Sequence, residues 1–151
     1  AVLADDIKGA KVWDCFAGSG LLGIEALSRG APSAVFVEQD AQALRALTEN
    51  VERLGLGERA RVLRGDAARA LERVARGPAR FAVAFADPPY DSPRAAPALE
   101  ALAHGACLLP DAVVVFQHGT KTPPPAAPGV LSLWKTRRFG ETTLTFFRAP
   151  A

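Results

Sequence analysis

The sequence predicts an α/β protein built on one doubly wound, mostly parallel sheet. Short apolar runs alternate with amphipathic stretches, a glycine-rich turn follows the first run, and the alternation stops near the C-terminus. The length of 151 residues suits one domain of ordinary size. We therefore expect a single domain over residues 1–151.

The first part of the chain predicts three strands, each followed by a helix. The strands are Lys11–Phe16, Ser33–Glu38 and Ala60–Arg64, and the helices are Leu21–Arg29, a stretch from Asp40 to Leu54, and a stretch from Asp66 to Arg76. Ser19, Asp40 and Asp66 are candidate N-caps, because a side-chain oxygen at this position accepts an unpaired N–H of the first turn. Gly30 and Gly55 stand where helices end.

The remainder predicts two more parallel strands and a closing pair. Phe81–Ala86 and Ala112–Gln117 are strands, with a helix over Arg94–Ala103 between them. After a proline-rich loop at 122–129, Leu131–Trp134 and Thr142–Phe147 form the closing pair. No helix separates the two members of this pair, so we expect an antiparallel edge on a seven-stranded sheet.

Composition excludes several classes of protein. No apolar run approaches the roughly 18 residues of a membrane span, and the N-terminus lacks the pattern of a signal peptide, so we expect a cytoplasmic protein with no membrane contact. Two cysteines, Cys15 and Cys107, cannot supply a four-thiolate zinc site, and we expect no metal. The sequence contains no methionine, so either its start has been processed or it is a piece of a longer chain.

The turn after the first strand carries the main binding motif. Gly18 to Gly23 match G-x-G-x-x-G, and Glu38 ends the second strand, where a carboxylate can accept both hydroxyls of a ribose. This pattern indicates an adenosine cofactor without saying which one. Asp14 stands four residues before Gly18, where it repels a pyrophosphate and attracts a sulfonium or an amino group. Asp66 is compatible both with a hydrogen bond from the adenine amine and with a plain helix N-cap.

A second motif, Asp87-Pro88-Pro89-Tyr90, directly follows the fourth strand. The two prolines stiffen the turn and remove two backbone donors, so the turn presents acceptors. A carboxylate and a proline carbonyl suit an exocyclic –NH₂ group, which offers two donors. Tyr90 supplies a flat face on which a base can stack.

Together the motifs resemble those of the class I S-adenosylmethionine-dependent methyltransferases. The resemblance rests on Asp14-Cys15-Phe16-Ala17-Gly18-Ser19-Gly20, on the stretch from Gly23 to Arg29, and on Asp87 to Tyr90. More narrowly, the sequence resembles the RsmD family of 16S ribosomal RNA (guanine-N2)-methyltransferases. The similarity extends from about Lys11 to Phe147 and includes a Gly140-containing turn before the last strand.

The resemblance implies a Rossmann-like sheet whose last strand is antiparallel, and methyl transfer from S-adenosylmethionine to ribosomal RNA or a small-subunit precursor. It also implies a basic N-terminal segment, of which we expect this sequence to lack a part. Asp87, Pro88, Pro89 and Tyr90 are then the catalytic residues that hold the target base. The expected cofactor contacts are Asp14, Phe16, Ala17, Gly18, Ser19, Gly20, Glu38, Gln39, Asp66 and Ala67. We expect the protein to be a monomer.

Basic groups interleaved with aromatic residues suggest where RNA is bound. The expected contacts are Lys121, Lys135, Arg137 and Arg138, beside Trp134 and Phe139. The alternative is a solvated hairpin end whose aromatic rings lie in the core. Rival functions are an amino methyltransferase acting on adenine N6 or another substrate, a non-catalytic module that binds NAD, and an inactive scaffold.

Overall fold

The computed structural model describes residues 9–89, 93–104, 107–121 and 129–151. Seven strands and four helices occur in these ranges. They are β1 (Lys11–Cys15), α1 (Leu21–Ser28), β2 (Ser33–Glu38), α2 (Ala41–Arg53), β3 (Ala60–Arg64), α3 (Ala67–Ala75), β4 (Phe81–Ala86), α4 (Ala95–His104), β5 (Leu108–Gly119), β6 (Ser132–Phe139) and β7 (Thr142–Arg148).

All seven strands form one sheet in the order β3-β2-β1-β4-β5-β7-β6. Strands β1 to β5 are parallel to one another, whereas β7 is antiparallel to both β5 and β6. The predicted fold class is therefore confirmed, including the antiparallel last strand. The strand order reverses between β1 and β4, which is where ligands bind in sheets of this kind.

Helices cover both faces of the sheet, because successive side chains of a buried strand point to opposite sides. On one face, Trp13 and Phe81 contact each other at a ring-centroid distance of 5.3 Å and pack beneath α3 and α4. On the other face, Val12 and Phe36 lie in a second core cluster with Leu47 of α2. Burial of these two apolar layers fixes the positions of the strands, and the strands fix the positions of the loops at the ends of the sheet.

Several predicted boundaries agree with the structure. The bounds of β2, β3 and β4 are as predicted, and Asp40 and Asp66 cap their helices by accepting the N–H of Ala43 and Arg69. Helix α1 ends in a Schellman motif, in which Ala31 N–H donates to Ala26 O and Gly30 adopts a φ of 109°.

The prediction that Ser19 caps α1 is wrong. The N-cap is Gly20, with a φ of 90° and no side-chain hydrogen bond, while the carbonyl of Ser19 accepts from Asn50 Nδ2 at 3.0 Å. The turn is one residue longer than expected because β1 ends at Cys15 and Phe16 takes a φ of 57°. The helix predicted from Arg94 spans Ala95–His104.

The C-terminal strands are longer than predicted. Strand β5 begins at Leu108, before Pro110, and accommodates a positive φ of 62° at Asp111. Strand β6 continues to Phe139, so the whole basic and aromatic stretch lies on an edge strand. Among the residues that the structure describes, no helix is long and apolar enough to cross a membrane.

Candidate functional site

A cleft of ≈ 820 Å³ opens beyond the C-terminal ends of β1 to β4. This volume is in the range of small-molecule sites. The cleft is lined by Asp14, Phe16, Ala17, Gly18, Ser19, Leu21, Leu22, Val37, Glu38, Gln39, Asp40, Ala41, Gly65, Ala67, Asp87, Pro88, Pro89 and Arg94. It therefore lies at the switch point of the sheet and joins the two sequence motifs in one site.

The glycine loop after β1 uses its N–H groups within the protein. Gly18 N–H donates to Glu38 Oε1 at 2.8 Å, and Gly20 N–H donates to Ala17 O at 2.8 Å. Gly23 N–H donates to Asp14 Oδ2 at 3.0 Å. These three donors are satisfied internally and do not form a cradle for a phosphate.

Gly23 allows α1 to lie directly against the sheet. A Cβ atom at this position would stand 2.7 Å from Phe36 Cζ and 3.0 Å from Asp14 Oδ2. Contacts of this length require the neighbours to move, and Phe36 is itself fully buried. The third glycine of the motif thus maintains the close packing of helix and strand that brings the Gly23 N–H to Asp14.

Asp14 is a buried carboxylate at the floor of the cleft, only 1% exposed. Its pKa is raised to about 7, chiefly by burial and to a smaller extent by the nearby carboxylates of Asp87 and Glu38, whereas the hydrogen bond from Gly23 acts in the opposite direction. A cation placed beside Asp14 favours its ionised form. The site is therefore suited to a positively charged ligand.

Glu38 connects the loops after β1 and β2. Besides the hydrogen bond from Gly18, its Oε2 accepts the N–H groups of Gln39 and Asp40, each at 2.8 Å. Three backbone donors hold the carboxylate in one orientation at the wall of the cleft. Its predicted contact with a ribose stays a prediction.

The opposite wall is formed by Asp87, Pro88 and Pro89. Burial raises the pKa of Asp87, whose side chain is partly buried. The two prolines have no N–H, so this wall presents oxygen acceptors to a ligand. Tyr90, which completes the predicted motif, lies outside the described residues.

Most of the predicted site residues are brought together in the cleft. Gly20 and Asp66 are not among its lining residues, and the Asp66 carboxylate serves as the N-cap of α3. The loop next to Asp66 contributes Gly65 and Ala67 to the lining. The N-cap interpretation of Asp66 is therefore confirmed, and an additional contact with adenine is untested.

Several lining residues were not predicted. Asp40 was identified only as a helix cap, and Arg94, just before α4, is the single basic residue lining the described part of the cleft. Leu21 carried a usable signal, because a large apolar residue directly after the glycine turn is exposed here at the mouth of the site. The contact of Asn50 with Ser19 had no local signal, since 31 residues separate the two.

The candidate RNA-contacting residues lie at the far edge of the sheet. Lys135, Arg137 and Arg138 are on β6, and Lys121 is in the turn after β5. Trp134 is 39% exposed and Phe139 is 60% exposed, so the expectation that these rings lie in the core is wrong, whereas the choice between an RNA contact and a solvated hairpin end is untested. Lys135 Nζ stands 4.0 Å from the centroid of the Trp134 ring, which keeps cationic and aromatic groups together on the surface.

Comparison with known proteins shows similarity over nearly the whole chain. The family model described as Conserved hypothetical protein 95 matches residues 1–148. YlbH from Bacillus subtilis (strain 168) is 34% identical over 140 residues, which are 93% of this chain and 76% of that protein. Ribosomal RNA small subunit methyltransferase D from Escherichia coli (strain K12) is 30% identical over 149 residues, which are 99% of this chain and 73% of that protein. The solved structure of yhhF from Escherichia coli has a TM-score of 0.86 and 29% identity, covering 99% of this chain and 82% of that one.

Proposed function

The chain belongs to the family described as Conserved hypothetical protein 95, and from that premise we propose that it is an S-adenosylmethionine-dependent methyltransferase of small-subunit ribosomal RNA. The resemblance to the RsmD family, predicted from the two motifs, is confirmed by the family match and by the relative from Escherichia coli. We further propose that the acceptor is the exocyclic N2 amine of a guanine.

The charge of the cleft carries the assignment of the cofactor. Asp14, Glu38, Asp40 and Asp87 all line it, and the glycine-loop N–H groups of Gly18, Gly20 and Gly23 are already bonded within the protein. A dinucleotide places its pyrophosphate against free N–H groups of this loop, and here it would meet carboxylates instead. S-adenosylmethionine carries a sulfonium, an ammonium and a ribose diol, all of which suit acceptor groups. The residues present therefore fit this cofactor better than NAD.

The chain offers a separate contact for each part of that cofactor. Asp14 and the loop of Gly18 would hold its methionine end, and Glu38 would accept hydrogen bonds from the ribose. Ala67, which lines the cleft, and Asp66, which caps α3 beside it, would contact the adenine. When bound, the cofactor supplies an already activated methyl group, so the protein contributes mainly by positioning.

Asp87 and the Pro88 carbonyl position the target amine. Both are acceptors, and together they bind the two hydrogens of an –NH₂ group, which turns the nitrogen lone pair away from them and into the cleft. The raised pKa of Asp87 makes this carboxylate a better proton acceptor than an exposed aspartate. Asp87 would take the proton that the amine loses when the methyl group passes from the sulfonium sulfur, which is left as a neutral thioether, to the nitrogen.

Methyl transfer to RNA tests the proposal directly. Labelled methyl transfer to naked 16S ribosomal RNA and to isolated small subunits, both from a strain that lacks this protein, should give a product that maps to one guanine N2. The same pair of acceptors fits the N6 amine of adenine, so a methylated adenine in that map would replace guanine as the target. Absence of transfer to both substrates would overturn the function.

A substitution at Asp87 separates catalysis from cofactor binding. Asp87→Ala should lower kcat by at least 10²-fold, the lower end of what a positioned acid–base group contributes, while the Kd for S-adenosylmethionine changes little. Glu52→Ala, which removes an exposed carboxylate near the C-terminal end of α2 and outside the cleft lining, is the matched control. Equal losses in kcat and cofactor affinity for Asp87→Ala would contradict the role of Asp87.

The C-terminal half of β6 is the proposed RNA contact near the cleft. Ala86 of β4 is level with Phe116, Thr145 and Thr136 across the sheet. Arg137 and Arg138 therefore lie at the same end of the sheet as Asp87. Three strand spacings separate β4 from β6, about 14 Å. An RNA strand whose base enters the cleft can therefore lie along this end of the sheet, from β4 to β6.

A double substitution tests this surface. Arg137→Ala with Arg138→Ala should reduce the slope of log affinity against log salt by about 1.4, which is the loss of two phosphate contacts on single-stranded RNA. Arg45→Gln, on the exposed face of α2, is the control for a lost positive charge. An unchanged slope in the double variant would exclude these arginines from RNA binding.

A further inference from the structure

A second concave site lies at the opposite end of the sheet from the cleft. Its volume is ≈ 460 Å³, and we call it the basal groove. Three cationic residues, Lys11, Arg61 and Arg73, line its rim, and Leu63, Val74 and Pro78 form apolar parts of its wall. The lining contains no acidic residue among those that the structure describes.

The fold brings the three cations together from separate elements. Lys11 lies two residues before Trp13 on β1, and Arg61 lies two residues before Leu63 on β3, so both point to the sheet face that α3 covers. Arg73 is in the last turn of α3, which runs antiparallel to the strands and ends at this same side. The register places Lys11 opposite Ser33 and Arg61 opposite Val35. The Cα atoms of Lys11 and Arg61 are therefore separated by two strand spacings and by two residues along the strand, which together amount to about 12 Å. Side chains of this length converge on one ligand over such a span.

Ordinary structural roles account for only part of this charge. Arg73 interacts favourably with the C-terminal end of the α3 dipole. Lys11 and Arg61 have no such role, and none of the three side chains has a hydrogen bond or an ion pair with another described residue. Three like charges beside an apolar wall repel one another, and this repulsion is relieved when an anion binds between them.

We propose that the basal groove binds the phosphodiester backbone of RNA at a site separate from the cleft. The inference rests on the proposed function, because the substrate proposed there is a polyanion. Arginine guanidinium groups bind phosphate oxygens in pairs, and the apolar wall accommodates the sugar or a base of the same nucleotide. Phe81, which starts β4 next to the groove, and Asp87, at the other end, are six residues apart, about 20 Å along the strand. An RNA that occupies both sites must therefore span at least this distance.

The salt dependence of RNA binding measures the three contacts. The triple variant Lys11→Gln, Arg61→Gln, Arg73→Gln and the parent are titrated with naked 16S ribosomal RNA between 50 and 200 mM salt. Losing three contacts should reduce the slope of log affinity against log salt by about 2.1, so the parent loses about 18-fold more affinity than the variant over this fourfold range. The charge-preserving triple variant Lys11→Arg, Arg61→Lys, Arg73→Lys should keep a slope close to that of the parent.

Controls distinguish this inference from its alternatives. Arg45→Gln removes an exposed cation outside the groove and should leave the slope unchanged. An unchanged slope in the glutamine triple variant overturns the groove as an RNA site, even where the parent methylates ribosomal RNA. Tighter binding of polyglutamate than of RNA at equal charge concentration, lost in the glutamine triple variant, would instead identify an acidic protein segment as the occupant. The single variant Arg61→Gln, with an expected slope change of about 0.7, serves if the triple variant does not fold.

Discussion

Ionisation of Asp14 should make the stability of the protein fall as pH rises. The carboxyl group is buried, and its pKa is raised from 3.8 to about 7. Below pH 3.8 it is protonated in both the folded and the unfolded chain and adds no cost. Between pH 3.8 and 7 only the unfolded chain ionises, and above pH 7 the full cost of the charged group is present in the folded state. A shift of this size corresponds to about 4 kcal/mol.

Asp14→Asn isolates that cost. Asparagine has nearly the same shape and can still accept the Gly23 N–H, but it carries no charge. The free energy of unfolding of the variant should therefore exceed that of the parent by up to about 4 kcal/mol at pH 8, and the two should converge near pH 4.

Urea denaturation at pH 4 and at pH 8 provides the measurement. The informative quantity is the change in the free energy of unfolding between pH 4 and pH 8. This change is compared between parent and variant, because other carboxylates contribute equally to both proteins. Glu58→Gln, which neutralises an exposed carboxylate, is the matched control. If the parent and Asp14→Asn show the same pH dependence, the ionised carboxylate is not desolvated and the reasoning about the cleft floor fails.

Three further substitutions test the framework of the cleft. Gly23→Ala should cost about 1–3 kcal/mol in urea denaturation, because its Cβ is forced against the buried ring of Phe36. Asn50→Leu removes the hydrogen bond to Ser19 O and should cost about 1 kcal/mol, with weaker cofactor binding in calorimetry. Asp66→Ser retains a helix cap but shortens the side chain. Unchanged stability with a loss of cofactor affinity would indicate that Asp66 contacts the adenine. If stability and cofactor affinity are both unchanged, Asp66 serves only as the helix cap.

The central strands could be predicted from sequence because their apolar runs are continuous and end abruptly. Ser33–Glu38 and Phe81–Ala86 are buried on both faces and are followed by residues that favour a turn or a helix cap, so pattern and structure coincide. The limits of β5 and β6 depend on pairing instead. Pro110 and Asp111 resemble a turn, yet they continue a strand where the pairing with β4 is irregular. The second half of β6 is exposed on an edge and has no apolar alternation to detect.

The functional site could be predicted where the residues that carry its chemistry are close together in the sequence. The glycine loop and the Asp-Pro-Pro turn each combine several unusual residues, and most of them line one cleft. Gly65 contributes only backbone surface, which no residue pattern distinguishes, whereas Leu21 could have been recognised as a large apolar residue directly after the glycine turn. The basal groove was not predictable, because Lys11, Arg61 and Arg73 come from three elements and each is ordinary in its own segment.

The energetics of Asp14 connect the fold to the proposed reaction. A buried carboxylate whose pKa is about 7 lowers stability at neutral pH, and the hydrogen bond from Gly23 only partly offsets the loss of hydration. Residues that oppose stability in this way are concentrated at functional sites. A cationic cofactor supplies the missing opposite charge, so binding should shift Asp14 toward its ionised form and strengthen as pH rises through 7. Calorimetry with S-adenosylmethionine at pH 6 and pH 8 measures this coupling, and Asp14→Asn should bind more weakly, with less change between the two pH values. An equal pH dependence in parent and variant would place the positive charge of the cofactor away from Asp14.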